Sequence, residues 1–535
     1  MPASHSLRWM TALAASVLIG VQAPAPVAAE TPRAGGTLTF AVGAKPPSYD
    51  GHRETTFAAI HPVAPHYSTL LRFDPENYPK IVGDVAESWT ISGDGLTYTF
   101  KLRPGIKFHD GSLLTAQDVK ATYEHIIFPP EGVVSARKAS YAPVEKVEAP
   151  NDGTVIFRLK WPSAAMLANL ASPWNFIYKA ELLAKDPRWY ETHVMGSGPF
   201  KFREHVSGSH WVGVKNPDYF VKGRPYLDGY RAIFIPDDTA RFAAVRSGRA
   251  LIEFRGTTPA TRDDLRNALG KQLTVQESPW VCGLTVAINT ERKPFDDPRV
   301  RRALSLAIDR WEASRELSRI TFLKEVGGLL RPGSEFAASE AELNKLAGFG
   351  KDIEASRREA RRLLREAGVP EGFSFTFKNR DIKHPYEPLG HLLIDSWRKV
   401  GLNVRHVVQR ETSTYFADLR NGNYETGMDF TCDFMDEPDL QLLKYISAKR
   451  SSENYARYND PKADELYQKQ SRATDPTDRR RLIREFERTV LDEKAYQFPT
   501  VWWQRIVVHW AKVKGWKITP SHYLNQDLRD VWLAE

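Results

Sequence analysis

The chain has 535 residues, 42% hydrophobic and 26% charged, a balance that argues for an ordinary globular protein and against a disordered or membrane-embedded one. That length exceeds what one compact core serves, so two or more lobes are expected. The net charge is +8, yet the densest basic runs, Arg357–Arg365 and Arg479–Arg484, stand among Glu359, Glu366 and Glu485, which indicates solvated helix faces and no nucleic-acid surface.

In chain order, Arg8 precedes an apolar run from Trp9 to Val21, and Pro24, Pro26 and Val27-Ala28-Ala29 follow. This is the pattern of a secretory signal peptide cut after Ala29. The run is shorter than the ~20 residues a membrane span needs. No Cys stands near the cleavage site, so an exported, periplasmic protein without a lipid anchor is expected.

The first predicted strand is Thr37–Val42, broken by Lys45-Pro46-Pro47-Ser48. Leu96, Tyr98, Phe100 and Leu102 then alternate with polar residues, the period of a strand with one buried face. Ser92-Gly93-Asp94-Gly95 turns the chain before it, and Arg103-Pro104-Gly105 breaks it afterwards. Thr115, with an acid at Asp118, opens a helix. Further strands are predicted at 155–159, 211–215, 232–235, 284–288, 373–377, 404–408 and 506–509. Asp297-Pro298 caps a helix whose face is Val300, Leu304, Ala307, Ile308 and Trp311. Helices at 352–367 and 389–400 end at Gly368 and Gly401. Asp475-Pro476 opens a long helix containing Leu482, Ile483, Phe486 and Val490. Mixed strands and helices of this kind indicate α/β lobes.

No HExxH, GxSxG, Walker loop, GxGxxG or EF-hand pattern occurs, and no cofactor or metal is expected. His61/His66 and His205/His210 are five apart, which does not place two ligands on one helical face. The paired acids Asp296/Asp297 and Asp237/Asp238 are the best carboxylates an exported hydrolase would have, but the first pair is explained as a helix cap. Cys282 and Cys432, the two cysteines of the chain, would be a disulfide or two buried thiols in an oxidising compartment.

The stretch Ala86–Tyr123, AESWTISGDGLTYTFKLRPGIKFHDGSLLTAQDVKATY, closely resembles the signature of the family 5 extracellular solute-binding proteins of ABC importers. Four further segments extend the resemblance over nearly the whole chain after residue 29. They are Met195–Phe200 with Lys215–Phe220; Ile288-Asn289-Thr290 with Pro294–Asp297, Arg299–Ala303 and Ile308–Arg310; Asn454-Tyr455 with Tyr458–Pro461; and Arg480–Glu493 with Phe498-Pro499.

The resemblance implies a periplasmic binding protein type II-like α/β fold with two hinged lobes plus an inserted domain. Domain I would comprise 30–56, 190–279 and 499–535, domain II the insertion 57–189, and domain III 280–498. The lobes would close about crossing segments near Ser278 and Phe498, and the Gly196–Gly198 loop becomes a hinge-adjacent turn. The resemblance also implies a Cys282–Cys432 bridge. A monomer is expected that binds a peptide or another small solute and docks on an ABC permease and its ATPase.

In peptide-binding relatives an Asp four residues before a Pro pairs with the peptide α-ammonium. Here Asp433 stands five before Pro438 and Phe434 takes the family spacing, which favours non-peptide solutes (oligosaccharide, opine-like or metal chelate) as alternatives. In dipeptide binders an Arg just before a Pro-Tyr pair takes the carboxylate. Here His384 precedes Pro385-Tyr386 and the nearest Arg is Arg380, so both are candidate anion partners. Tyr49, Tyr415, Phe430, Trp502 and Trp503 are candidate aromatic linings of a largely apolar cleft.

Overall fold

The alternation at 96–102 folds as a strand, Thr97–Leu102, because Tyr98, Phe100 and Leu102 turn inward while Lys101 stays in solvent. It is the second member of a four-stranded antiparallel sheet in the order Ala86–Ile91, Thr97–Leu102, Thr154–Leu159 and Val144–Asn151. Helix Ala116–Ile127 packs with this sheet in a common core that includes Phe100, Val119, Tyr123 and Phe157. Its start is the box foreseen from Thr115 and Asp118, with the Thr115 N–H donating to Asp118 Oδ2 at 2.8 Å. The computed structural model describes residues 30–535, so the signal-peptide reading of 1–29 lies outside the described residues. Among the described residues no helix is long and apolar enough to cross a membrane.

The remaining architecture hangs on one large mixed sheet. Its first half orders Phe200–Val206, His210–Lys215, Gly229–Phe234, Thr37–Val42 and Ile252–Glu253, with parallel pairing about Thr37–Val42. Its second half orders Asn403–Gln409, Ser374–Arg380 and Thr426–Cys432.

Two long antiparallel strands, Leu273–Ile288 and Gln497–Trp510, join the halves. Their register is regular from Leu273↔Trp510 to Pro279↔Gln504, slips between Pro279 and Gly283 and again between Gly283 and Thr285, and is regular from Thr285↔Pro499 to Ala287↔Gln497. Gly283 lies at the slip because a Cβ there would come within 3.0 Å of the Trp502 ring. Cys282 and Cys432 face each other across neighbouring strands with Cα atoms 4.1 Å apart and are bonded to one another.

Three large apolar cores correspond to the two halves and the small sheet. Ala59–Tyr67 and Trp174–Tyr190 contribute to the core of the first half although they flank the small-sheet unit in sequence. The Met195–Phe200 segment lies so close to that core that a Cβ on Gly196 would fall 2.1 Å from the His66 carbonyl oxygen, which explains a glycine there.

Two helices differ from the sequence expectation, and the two joining strands are far longer than the expected 284–288 and 506–509. The helix from Pro298 stops at Leu306, and Trp311 belongs to a second helix, Arg310–Ile320, because Asp309 caps it by accepting the Glu312 N–H. The helix from Pro476 is α-helical to Glu487 and continues as a π turn over Arg488–Glu493, which carries Val490.

Candidate ligand-binding cleft

The candidate site is built around Asp433 and Tyr523, which are linked through Phe434, Arg137 and Trp174. Asp433 directly follows the strand Thr426–Cys432, its N–H held by the Val281 carbonyl at 3.0 Å. Its carboxylate accepts one hydrogen bond, from Thr431 Oγ1 at 2.9 Å, and has no cation partner among the described residues. Burial pushes its pKa up to about 7, the Glu453 charge adds to the rise, and the Thr431 bond opposes it.

Tyr523 stands close by. Burial raises its phenol pKa, Arg255 and then Arg137 pull it back, and Asp433 adds to the rise. Its ring lies 3.9 Å from His522 and 5.7 Å from Trp174. Arg137 sits 4.5 Å above Trp174 and 5.9 Å from Phe434, but its guanidinium is spent on the carbonyls of Gly51, His52 and Glu54. Arg137 is therefore a brace across the first half.

A second aromatic and charged cluster lies within the second half. Arg380 ends the strand Ser374–Arg380 and lies among the rings of Tyr386, Phe416 and Phe430 at 4.8, 5.2 and 5.9 Å. It donates to the Tyr386 hydroxyl at 3.0 Å. Burial raises the Tyr386 phenol to about 12, with Arg380 and Arg255 opposing the rise. Asp429 and Lys444, both buried, form an ion pair behind this cluster.

Of the residues singled out from the sequence, Asp433, Arg380 and Phe430 are half-buried and keep part of the side chain accessible. Other expectations are corrected. Tyr415 is enclosed in a side core with Leu419 and Tyr424, its hydroxyl given to the Met428 carbonyl. Trp502 is buried against Gly283, its indole N–H on the Gly328 carbonyl at 3.1 Å. Tyr49 packs on Trp211 and bonds His205 Nδ1 at 2.7 Å, on the flank of the first half. Tyr415 and Trp502 have no face left for a solute, and Tyr49, half-buried, is held on the flank of the first half.

Trp503 stands one layer behind the cleft, stacked edge-on to Trp280 at 5.4 Å, and Trp280 in turn donates to His522. His384 is exposed beside Lys383 and Glu387. Partial burial lowers its pKa, with Glu387 opposing and Lys383 assisting. The shift disfavours the charged form that an anion would need.

Sequence reasoning missed Arg255, Tyr523, Arg137 and Trp174, which no periodicity or spacing distinguishes. Asp297 and Asp237 are occupied as helix caps on the N–H groups of Arg299 and Ala240, each at 2.8 Å. His66 is enclosed by the Phe200 carbonyl, Trp211 and Tyr230. Among the described residues no group of three or more His, Cys, Asp or Glu is placed to hold a metal.

A cavity of about 740 Å³ adjoins the same loop between the small sheet and the second half, lined by Tyr78, Ile91, Tyr98, Leu330 and Phe336. Its buried charges are already paired, Arg331 with Asp436 at 2.6 Å and Arg479 with Glu437. The cleft at Asp433 is the stronger candidate because its charges are unmatched.

Residues 80–453 match the model of the bacterial extracellular solute-binding proteins, family 5. A probable di/tripeptide-binding protein of Pseudomonas aeruginosa is 26% identical over 525 residues, covering 93% of this chain and 96% of that protein. A heme-binding protein A of Haemophilus influenzae is 26% identical over 486 residues, 85% of each. Among solved structures, the periplasmic binding protein DppA of Helicobacter pylori, in complex with the peptide STSA, superposes with a TM-score of 0.76 at 25% identity. It covers 94% of this chain and 99% of its own. The substrate-binding protein CtaP of Listeria monocytogenes shares the fold at a TM-score of 0.81 and 22% identity, covering 94% of this chain and 100% of its own.

Proposed function

The chain belongs to the bacterial extracellular solute-binding proteins of family 5, and from that premise we propose that it is the substrate-binding component of an ABC importer. It captures a peptide or related amino-bearing solute between the two halves of the large sheet and delivers it to an inner-membrane permease. The observation that carries the solute chemistry is Asp433, a carboxylate facing the cleft with one hydroxyl partner and no cation. An ammonium group supplies the missing charge, and withdrawal of both groups from water makes the pairing selective.

The two joined strands act as the hinge, because two register slips between 279 and 285 interrupt the ladder between regular stretches. On this reading domains I and III are the closing lobes and domain II travels with domain I, with which it shares the core containing Tyr67 and Trp174. The open form accepts solute, and ligand shifts the population towards closure by its differential affinity for the two states. Residues 1–29 direct export to the periplasm and are removed, and the exported protein works as a monomer without catalysis.

A second reading, a non-peptide solute, is favoured by the one-residue offset of Asp433 from the family spacing to Pro438. Mass spectrometry of molecules that co-purify with the protein distinguishes the two. A bound peptide or α-amino compound is expected, confirmed by calorimetry and by compaction in small-angle scattering. A bound sugar or chelate would select the second reading. No bound solute and no compaction with any peptide would remove the first.

A further inference from the structure

Two histidines meet edge to edge where the small-sheet unit joins the first half. His125 comes from the helix Ala116–Ile127 of that unit. His52 comes from the turn after Asp50 and stacks at 4.1 Å on Tyr178, which belongs to the core of the first half. Both rings are buried, and their Nδ1 atoms lie 3.0 Å apart. On the far side of each ring, Nε2 meets a backbone carbonyl, Phe176 at 3.0 Å for His52 and Pro187 at 2.9 Å for His125.

A carbonyl oxygen only accepts, so both Nε2 atoms carry protons. Two neutral rings would then point two Nδ1 lone pairs at each other across a hydrogen-bond distance. Turning either ring over does not help, because carbon atoms would face both of its partners. The contact calls for a cation between the lone pairs. Arg137 already covers the same turn, donating to the carbonyls of Gly51 and His52 at 3.0 and 3.1 Å. Among the described residues no third His, Cys, Asp or Glu completes a metal set. A proton fits this gap better than a metal does.

We propose that His52 and His125 share one added proton, as an imidazolium–imidazole pair neutralised by Asp50, and that this proton is a pH-sensitive lock between the small-sheet unit and the first half. Asp50 is suited to the role. Its carboxylate accepts from the His52 N–H at 2.9 Å and the Tyr178 hydroxyl at 2.8 Å and forms no ion pair among the described residues.

The other charges nearby are spent. Arg53 and Arg188 pair with Glu191, and Glu124 on the helix of His125 pairs with Lys120. Asp118 on that helix accepts from the N–H groups of Thr115 and Ala180. Burial pushes the His52 imidazole well below its usual range, and the His125 charge adds to the fall. The pair therefore takes one added proton and resists a second.

The sign follows by linkage. Unfolded, the two histidines bind two added protons in acid and none in alkali, changing at about pH 6.5. Folded, the pair keeps one across that range. The lock thus contributes most at about pH 6.5 and weakens on both sides, in acid because the unfolded chain takes the second proton and in alkali because only the folded pair still has one to lose. The small-sheet unit also receives Met435 from the Asp433 loop, so its seating bears on the cleft.

NMR of the full exported chain, isotopically labelled in histidine, reads the pair directly. One strongly deshielded imidazole proton coupled to both Nδ1 atoms is expected at about pH 7, and it should vanish in His125→Gln and in His52→Gln. Two neutral rings, one of them protonated at Nδ1 in place of Nε2, overturn the proposal. So does zinc that co-purifies in equal amount and whose removal by chelator abolishes the signal. Scanning calorimetry tests the lock. The melting-temperature gap between the parent and His125→Gln should be widest at about pH 6.5 and narrow towards about pH 4.5 and about pH 9. A gap that stays constant or changes in one direction only overturns it. Should the variants not fold, the NMR titration of the parent decides alone.

Discussion

At the scale of single residues, Asp433 carries the clearest consequences. Its folded-state pKa is raised to about 7 from an ordinary carboxylate value near 4, so the folded protein holds a proton there more tightly than the unfolded chain. Stability contributed by this group is therefore full in acid and lost as pH rises from about 4 through about 7. Asp433→Asn should melt above the parent at about pH 8 and alongside it at about pH 4, a difference that calorimetry of the ligand-free proteins reads directly.

Ligand binding runs the other way, because an ammonium needs the ionised carboxylate. Affinity for an α-amino solute should fall roughly tenfold or more on acidification from about pH 7.5 to about pH 5.5. Asp433→Asn should weaken binding tenfold or more, a charge-assisted contact near 2 kcal/mol, and should flatten that pH dependence. An unchanged profile in the variant would remove Asp433 from the site. Asp433 drew notice in the sequence through the family resemblance, as an acid five residues before Pro438 where peptide-binding relatives have one four residues before. Tyr415 and Trp502 were misjudged because an aromatic side chain looks the same on paper whether it faces a core or a cleft.

Among the elements, the ribbon of Leu273–Ile288 and Gln497–Trp510 decides how the halves communicate. The sequence showed only pieces of it, at 284–288 and 506–509, because its remaining residues lack a clean two-residue alternation. Nearly all of Gln497–Trp510 is buried on both faces, and a strand enclosed on both sides has no polar face to alternate.

The Cys282–Cys432 bond pins this ribbon to its neighbour beside the register slip and closes a loop of 150 residues. In the chain-entropy description such a loop is worth about 5 kcal/mol. Cys282→Ser/Cys432→Ser should lower the melting temperature by several degrees, and reduction of the parent should reproduce the effect. A double variant as stable as the parent would show that the local strand pairing alone holds this region.

Considered as a whole molecule, the protein is latched by the loop that carries Asp433. Met435 belongs to the second half, yet it is fully buried in the core of the small sheet. Phe434 packs beside it, and the Asp436 N–H donates to the Tyr78 hydroxyl at 3.0 Å. Withdrawal of Met435 on opening exposes that apolar surface, so Met435→Ala penalises the closed state selectively, by about 2 kcal/mol or more. Solute affinity should fall tenfold or more, and scattering should show less compaction at equal ligand concentration. Equal compaction would assign the latch to other contacts.

The sequence by itself determined the family, the α/β class and most of the regular elements, including the Ala86–Tyr123 signature. These depend on local periodicity, caps and turns, which are written in neighbouring residues. Only the tertiary structure decided which charges remain unmatched. The signature lies in the small-sheet unit, whose core also receives Met435 and Phe434 from the loop of Asp433, while Arg137, Trp174 and Tyr523 come together from distant parts of the chain. Whether an arginine is satisfied depends on which carbonyls and carboxylates the fold brings to it, and no local pattern records that.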